Sequence, residues 1–300
     1  MVGVNIQYFY NDVLRMNHTD FIKAIKNDIA IYAVHTALDN HQNGVNKIFC
    51  QALGLINTKI LIPKENFIKK LVTYTIPENA EKLRNALFDA GAGKIGNYED
   101  CSFNSQGIGT YMGNENSNPE IGARFEFVQN TEIKIEVTFE KHLEAKILKA
   151  LFANHLYEEV AYEIYELTNK HQNIGLGMLG ELPKSLSETD FLTLVKEKIQ
   201  TGGIRHSAFL NKPIQKVAVL GGSGSFAIRA AIASGADAFL TADLKYHQFY
   251  EAENRLLLAD VGHFESERFT KKYIVDYLKE KITNFAIILS EENTNPVQYF

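Results

Sequence analysis

The sequence is poor in cysteine. Two in 300 residues, Cys50 and Cys101, make neither a disulfide framework nor a cysteine-rich zinc site, and they suit a reducing compartment. Long apolar runs are missing as well. No secretory hydrophobic stretch follows Met1 and none is long enough to span a bilayer, so the expected location is the cytoplasm, with no membrane partner. There is no basic excess either: Lys plus Arg number 31 against 36 Asp plus Glu, a formal net charge of -5, which argues against nucleic acid as a partner. What is there is an ordinary globular composition, 45% hydrophobic and 22% charged, enough to bury a large core and make two domains.

The chain is organised around residues 256–281, LLLADVGHFESERFTKKYIVDYLKEK. Leu256 to Val261 reads as a buried strand and Gly262 as a turn. Phe269, Tyr273, Tyr277 and Leu278 then recur at helical spacing. His263 and Glu267 are four apart at the start of that helix, so both point the same way, beside Asp260 at the strand's end. An imidazole and a carboxylate so placed are half of a divalent-metal site. The same spacing also serves as a plain i,i+4 pair worth roughly a few tenths of a kcal/mol.

Other strand ends carry similar chemistry. His35-Thr36-Ala37-Leu38-Asp39-Asn40 follows a predicted buried strand, Ile29 to Val34, at the sheet edge where open α/β folds place ligands. An Asp/Asn turn before the next helix, Val45 to Leu53, accounts for the same residues. Upstream, Asp20 is expected to cap a helix running through Lys26, while Met1 to Met16 shows no clean pattern. Lys216 to Leu220 predicts a strand entering Gly221-Gly222-Ser223-Gly224-Ser225, whose amides could cradle an anion or could simply make a tight turn. It is neither a Walker loop nor a dinucleotide fingerprint. A helix, Phe226 to Ser234, and a strand, Ala238 to Thr241, lead to Asp243 and His247. Three strand ends bearing Asp and His on one edge of one sheet point to a site.

Between these halves the pattern changes. A strand at Leu71–Ile76, a helix at Glu78–Ala90, a strand at Lys134–Phe139, a helix at His142–Phe152 and a strand near Val160–Ile164 suggest a ferredoxin-like α+β insert. Gly91 to Ile133, rich in glycine, reads as long surface or interface loops. His155 with Glu158 and Glu159 reads as a polar connection or a metal group, and His171 to Gly180 as a polar linker.

HTALDN at 35–40, GGSGSF at 221–226, TADLKYHQF at 241–249 and DVGHFESERF at 260–269 together resemble the NIF3 family of dinuclear-metal proteins, also called GTP cyclohydrolase 1 type 2 homologs. The insert, with LVTYTIPENAEKLRNALFDAGAGKIGNY and HLYEEVAY, resembles that family's central domain, related in fold to the PII and CutA proteins. The resemblance implies an α/β core formed by residues 1–63 and 169–300, interrupted by an insert at 64–168. It implies toroidal homo-hexamers with up to two divalent ions per chain; zinc, iron or manganese all suit imidazole with carboxylates. Residue by residue, Asp39 takes the place of the bridging aspartate, and His263 and Glu267 those of late ligands. His35 and His247 match cavity-lining histidines, and Gly221 to Ser225 would steady an anion.

The family's pattern also has a His-His-Pro motif upstream of the His-Thr stretch, one histidine for each metal. No adjacent histidines occur in this sequence, and counting back places the motif at or before Met1. The expectation is either a late start or a degenerate member, with His18 a poor substitute. The function implied is a metal-dependent hydrolase acting on a nucleotide or other phosphorylated small molecule. The alternative is a non-catalytic hexameric ring that uses metal structurally or as a signal.

Overall fold

The computed structural model describes residues 18–32 and 34–300, which divide into two compact units between Leu38 and Asp39. Met1 to Met16 lies outside the described residues. In the first unit α1, His18–Lys26, is closed by Asn27, whose backbone and side-chain N–H groups both donate to the Lys23 carbonyl (3.1 and 2.8 Å). Asp20 therefore sits inside the helix and does not precede it as a cap. The predicted strand Ile29–Val34 is not a strand over its described residues, and Ile29 and Tyr32 are 60% and 84% exposed. A short apolar run makes a strand only when a neighbour takes its hydrogen bonds, and none of the pairings includes this run.

The second unit starts with α2, Val45–Ala52, which buries Phe49 and Cys50 and ends before Gly54 at φ +74°. Next comes β1, Ile56–Pro63, the outer strand of a six-stranded sheet. The chain then leaves that sheet for the insert: β2 (Ile68–Thr75), α3 (Pro77–Asp89), β3 (Ser102–Met112), β4 (Phe127–Glu140), α4 (Glu144–Asn154) and β5 (Tyr162–Leu167). The insert's strands pair antiparallel in the order β3-β4-β2-β5. This is the ferredoxin-like arrangement expected. Leu71, Ile135 and Val137 of the sheet pack with Leu83, Leu87, Ile147 and Leu151 of the two helices in one core. The chain returns with β6, Gly175–Leu186, antiparallel to β1 in a register that sets Pro63 opposite Gly175. The Lys64 amide donates to the Ile174 carbonyl and the His171 amide to the Lys64 carbonyl, each at 2.8 Å, so exit and re-entry are clasped together.

Two expectations fail here. Gly91–Ile133 is not loop throughout: β3 and the first part of β4 form a long hairpin in it. Every residue of β3 is partly or fully exposed, so no alternation of buried apolar residues marks it in the sequence. The supposed linker His171–Gly180 ends in β6, whose first six residues include three glycines, Gly175, Gly177 and Gly180. A Cβ at Gly175 would lie 2.2 Å from the Ile62 carbonyl oxygen. Glycine is needed there because the strands approach closely, and its low strand propensity hides the strand.

After β6 come α5 (Glu188–Ile199), β7 (Arg205–His206), β8 (Ile214–Ser223), α6 (Ile228–Ala233), β9 (Ala238–Ala242), β10 (Leu257–Asp260), α7 (His263–Glu267) and α8 (Thr270–Lys281). Ser187 caps α5, its hydroxyl oxygen accepting from the Asp190 amide. The sheet order is β1-β6-β8-β9-β10-β7, with β8, β9 and β10 parallel. Every residue of β9 and β10 is buried, the mark of parallel strands covered on both faces. Phe49, Phe191 and Val195 pack on one side with Val217 and Leu240; Ile228 and Ala231 pack on the other with Ala218 and Phe239. The carboxyl ends of the three parallel strands, Ser223, Ala242 and Asp260, share one edge.

Candidate metal centre

Asp260, buried at the end of β10, is committed to structure. Its Oδ2 accepts from the Leu244 amide (3.0 Å) and from the Arg205 guanidinium, and its Oδ1 from the Gly262 amide (3.2 Å). These bonds fix the turns after β9 and β10. Gly262, at φ +91°, then turns the chain into α7.

His263 and Glu267 sit on one face of α7, with His263 Nε2 3.6 Å from Glu267 Oε1. Two ligands about 2.1 Å from one cation at a tetrahedral angle are about 3.4 Å apart, so this spacing suits a shared ion. Across the edge, Asp243 Oδ2 lies 2.6 Å from His263 Nδ1. A carboxylate there holds the proton on Nδ1 and leaves the Nε2 lone pair facing Glu267, the arrangement of a metal-binding imidazole. Asp243 stands immediately after β9 at φ +57°, where Asp is one of the few tolerated residues. Both side chains of this pair are half exposed, open to solvent.

Gly222 makes room for the donors. It has φ +69°, and a Cβ built on it would lie 2.5 Å from Glu267 Oε1 and 3.2 Å from His263 Nε2. The Gly221 and Gly222 amides, expected to face an anion, are donated instead to Asn46 Oδ1 and Ser266 Oγ, each at 2.9 Å. Ser223 belongs to β8, and the Gly224 carbonyl accepts from the Ala227 amide. The glycine-rich turn is thus bound to its own scaffold at its first two residues. Asn46 Nδ2 also donates to the Asp39 carbonyl (3.0 Å), so one side chain ties Asp39's backbone to Gly221.

The remaining predicted residues are placed separately. His247 lies exposed in the 3₁₀ segment Tyr246–Ala252, its ring edge-on to Tyr246 at 5.1 Å. His35 belongs to the first unit, and its Nδ1 is 2.9 Å from the Thr36 hydroxyl. His155 is spent on backbone: Nε2 donates to the Tyr74 carbonyl and Nδ1 accepts from the Tyr157 amide. Among the described residues no three His, Cys, Asp or Glu side chains converge as a metal-holding group. What the second unit brings together is a two-donor pair, His263 and Glu267, backed by Asp243. Asn46 and Ser266 were not singled out from the sequence, and Asp243 was read there only as a strand-end residue beside His247, not as the partner of His263. The one signal for Asp243 was its place just past a buried strand, next to a parallel strand ending in Asp-Val-Gly-His.

The sequence model of Duf34/NIF3 (NGG1p interacting factor 3) matches residues 10–296. The chain belongs to the NIF3 family. It is 37% identical over 283 residues to a "GTP cyclohydrolase 1 type 2 homolog" of Bacillus subtilis, covering 92% of this chain and 76% of that protein. A relative of the same name from Listeria innocua is also 37% identical, over 287 residues with the same coverage. The crystal structure of a Bacillus cereus protein related to NIF3 superposes with a TM-score of 0.78 at 38% identity, covering 93% of this chain and 76% of that one. Among the described residues no helix is long and apolar enough to cross a membrane.

Proposed function

We propose that this NIF3-family chain binds a divalent metal through His263 and Glu267, with Asp39 as a further carboxylate ligand, and uses it to hydrolyse a nucleotide or other phosphorylated small molecule. The observation that carries this reading is the pinned imidazole: Nδ1 on Asp243, Nε2 facing Glu267. The relatives' name, GTP cyclohydrolase 1 type 2 homolog, supports the substrate class. The chemistry a bound divalent ion supplies is polarisation of the scissile centre and a lower pKa for its water. The protein's own residues do the rest. Asp243 would keep the His263 proton away from the metal-facing nitrogen, Gly222 keeps that space clear, and the exposed imidazole of His247 would exchange protons with bound substrate. Zinc, iron and manganese all suit the donors.

A homo-oligomer, the hexamer of the family resemblance, is part of the same proposal. Phe103, Phe125 and Phe127 at the root and tip of the β3–β4 hairpin are about two-thirds exposed, an apolar surface suited to a second copy. The alternative of a non-catalytic metal-binding ring is favoured by the two-donor character of the pair. The test is elemental analysis and nucleotide hydrolysis on the purified chain equilibrated with Mn²⁺ or Zn²⁺. Bound metal lost in Glu267→Gln, together with metal-dependent hydrolysis, is the expected result. Metal without hydrolysis of any nucleotide would select the non-catalytic ring, and full metal retention in both Glu267→Gln and His263→Gln would refute the ligand assignment.

A further inference from the structure

The insert contains a cavity of about 570 Å³ that the metal chemistry does not use. Its floor is β3, where Gly107 and Gly109 alternate on one side of the strand, so that stretch presents bare backbone. A Cβ on Gly107 would meet nothing within 4 Å, so the opening there is real space. The walls include the rings of Tyr74, Tyr111 and Tyr157. All three hydroxyls are engaged by the protein: Tyr74 donates to Glu163, Tyr111 to the Ile121 carbonyl (2.6 Å) and Tyr157 to Glu132 Oε1 (2.7 Å). These side chains therefore offer ring surface to an occupant.

The charge in the cavity has one dominant sign. Glu120, Glu132, Glu158 and Glu159 line it, against Lys134, whose Nζ is 2.5 Å from Glu136. Glu132 is held in place by Tyr157, and its carboxylate lies over Gly109, where a Cβ would fall 2.3 Å from Oε2. A phosphate or carboxylate would meet net repulsion here, whereas an ammonium or amidinium would meet a fixed carboxylate beside aromatic rings, which also favour cations. Pockets of this volume that combine apolar walls with a few placed polar groups take small molecules.

We infer that the insert binds a small organic cation, a planar apolar body carrying an ammonium or amidinium group, with the body on the Gly107–Gly109 floor among the tyrosines and the charge on Glu132. This site is separate from the metal centre and stands independently of it.

The test uses three matched probes on the full chain: 2-naphthylmethylammonium, 2-naphthylmethanol and 2-naphthoate. The chain has no tryptophan, so naphthyl fluorescence reports binding cleanly. The cation is expected to bind about tenfold or more tightly than the alcohol, and the anion more weakly than either. Glu132→Gln should cut cation affinity about tenfold and leave the alcohol unchanged. Gly107→Val should weaken cation and alcohol together, with circular dichroism checking that the fold persists. The inference is overturned if naphthoate binds as well as the ammonium, if no probe binds at millimolar concentration, or if Gly107→Val changes nothing. Cation binding that disappears as the chain self-associates would also overturn it, by giving the cavity to a second copy.

Discussion

His263 Nδ1 and Asp243 Oδ2, from the turns after two adjacent parallel strands, are 2.6 Å apart. The contact is 20 residues long in sequence and one strand wide in space, because β9 and β10 end level with each other. Asp243→Asn should keep the fold and lower affinity for Zn²⁺ or Mn²⁺ about 10- to 100-fold, since an amide can donate to Nδ1 and move the ring proton to Nε2. Calorimetric titration checks it, and an unchanged affinity would remove Asp243 from the site.

Gly222→Ala should harm both stability and metal binding. The backbone conformation at φ +69° costs an alanine about 1–2 kcal/mol, and the new methyl would occupy the place of Glu267 Oε1. Urea unfolding reads the first effect and metal titration the second. A variant that binds metal normally would mean that the Glu267 carboxylate is not needed where it stands.

The sequence was most legible where burial is two-sided. β8, β9 and β10 appear as apolar runs because each is set by local chemistry. The hairpin strand β3 was not legible, since it buries no face, and β6 was hidden by glycines whose reason is the nearness of β1. At the site, the i,i+4 pair His263 and Glu267 could be read from spacing alone. Its partner Asp243 could not, because nothing in either segment states that β9 and β10 are neighbours. The anion reading of Gly221 and Gly222 met the same limit: Asn46, which takes the Gly221 amide, is 175 residues away.

Asp260 and Arg205 should respond unequally to truncation. Asp260 is 7% exposed and Arg205 63%, so the guanidinium is largely hydrated and its loss should cost under about 1 kcal/mol. Asp260→Ala strips the acceptor from the Leu244 and Gly262 amides as well and should cost about 2–3 kcal/mol. Equal losses in denaturant unfolding would show that the ion pair, not the amide bonds, dominates.

Cys50 is fully buried, and burial pushes its thiol up to about 12, so at neutral pH it has almost no thiolate. Cys101 is partly exposed. An aromatic disulfide reagent should titrate one thiol quickly in the native chain and the second only on unfolding. Two fast equivalents at pH 7 would mean that α2 opens readily.

His155 holds two backbone groups through its ring. Its Nδ1 accepts from the Tyr157 amide at 3.1 Å and its Nε2 donates to the Tyr74 carbonyl at 2.9 Å, so the folded state specifies a neutral ring with the proton on Nε2. Burial lowers its pKa below the ordinary value near 6.5, outweighing the opposing pull of the Tyr74 carbonyl and of Glu132. The sign follows. The unfolded chain takes up the proton at higher pH than the folded one, so the ring's contribution is fully present above about pH 6.5 and is lost as pH falls through the folded value. Protonation would also turn Nδ1 into a donor facing the Tyr157 N–H. In His155→Gln, which does not titrate, the urea midpoint should fall below that of the unaltered chain at pH 7.5. The gap should narrow as pH falls below about 6.5. A gap that widens on acidification would mean that the charged imidazole, not the neutral one, is what the fold stabilises.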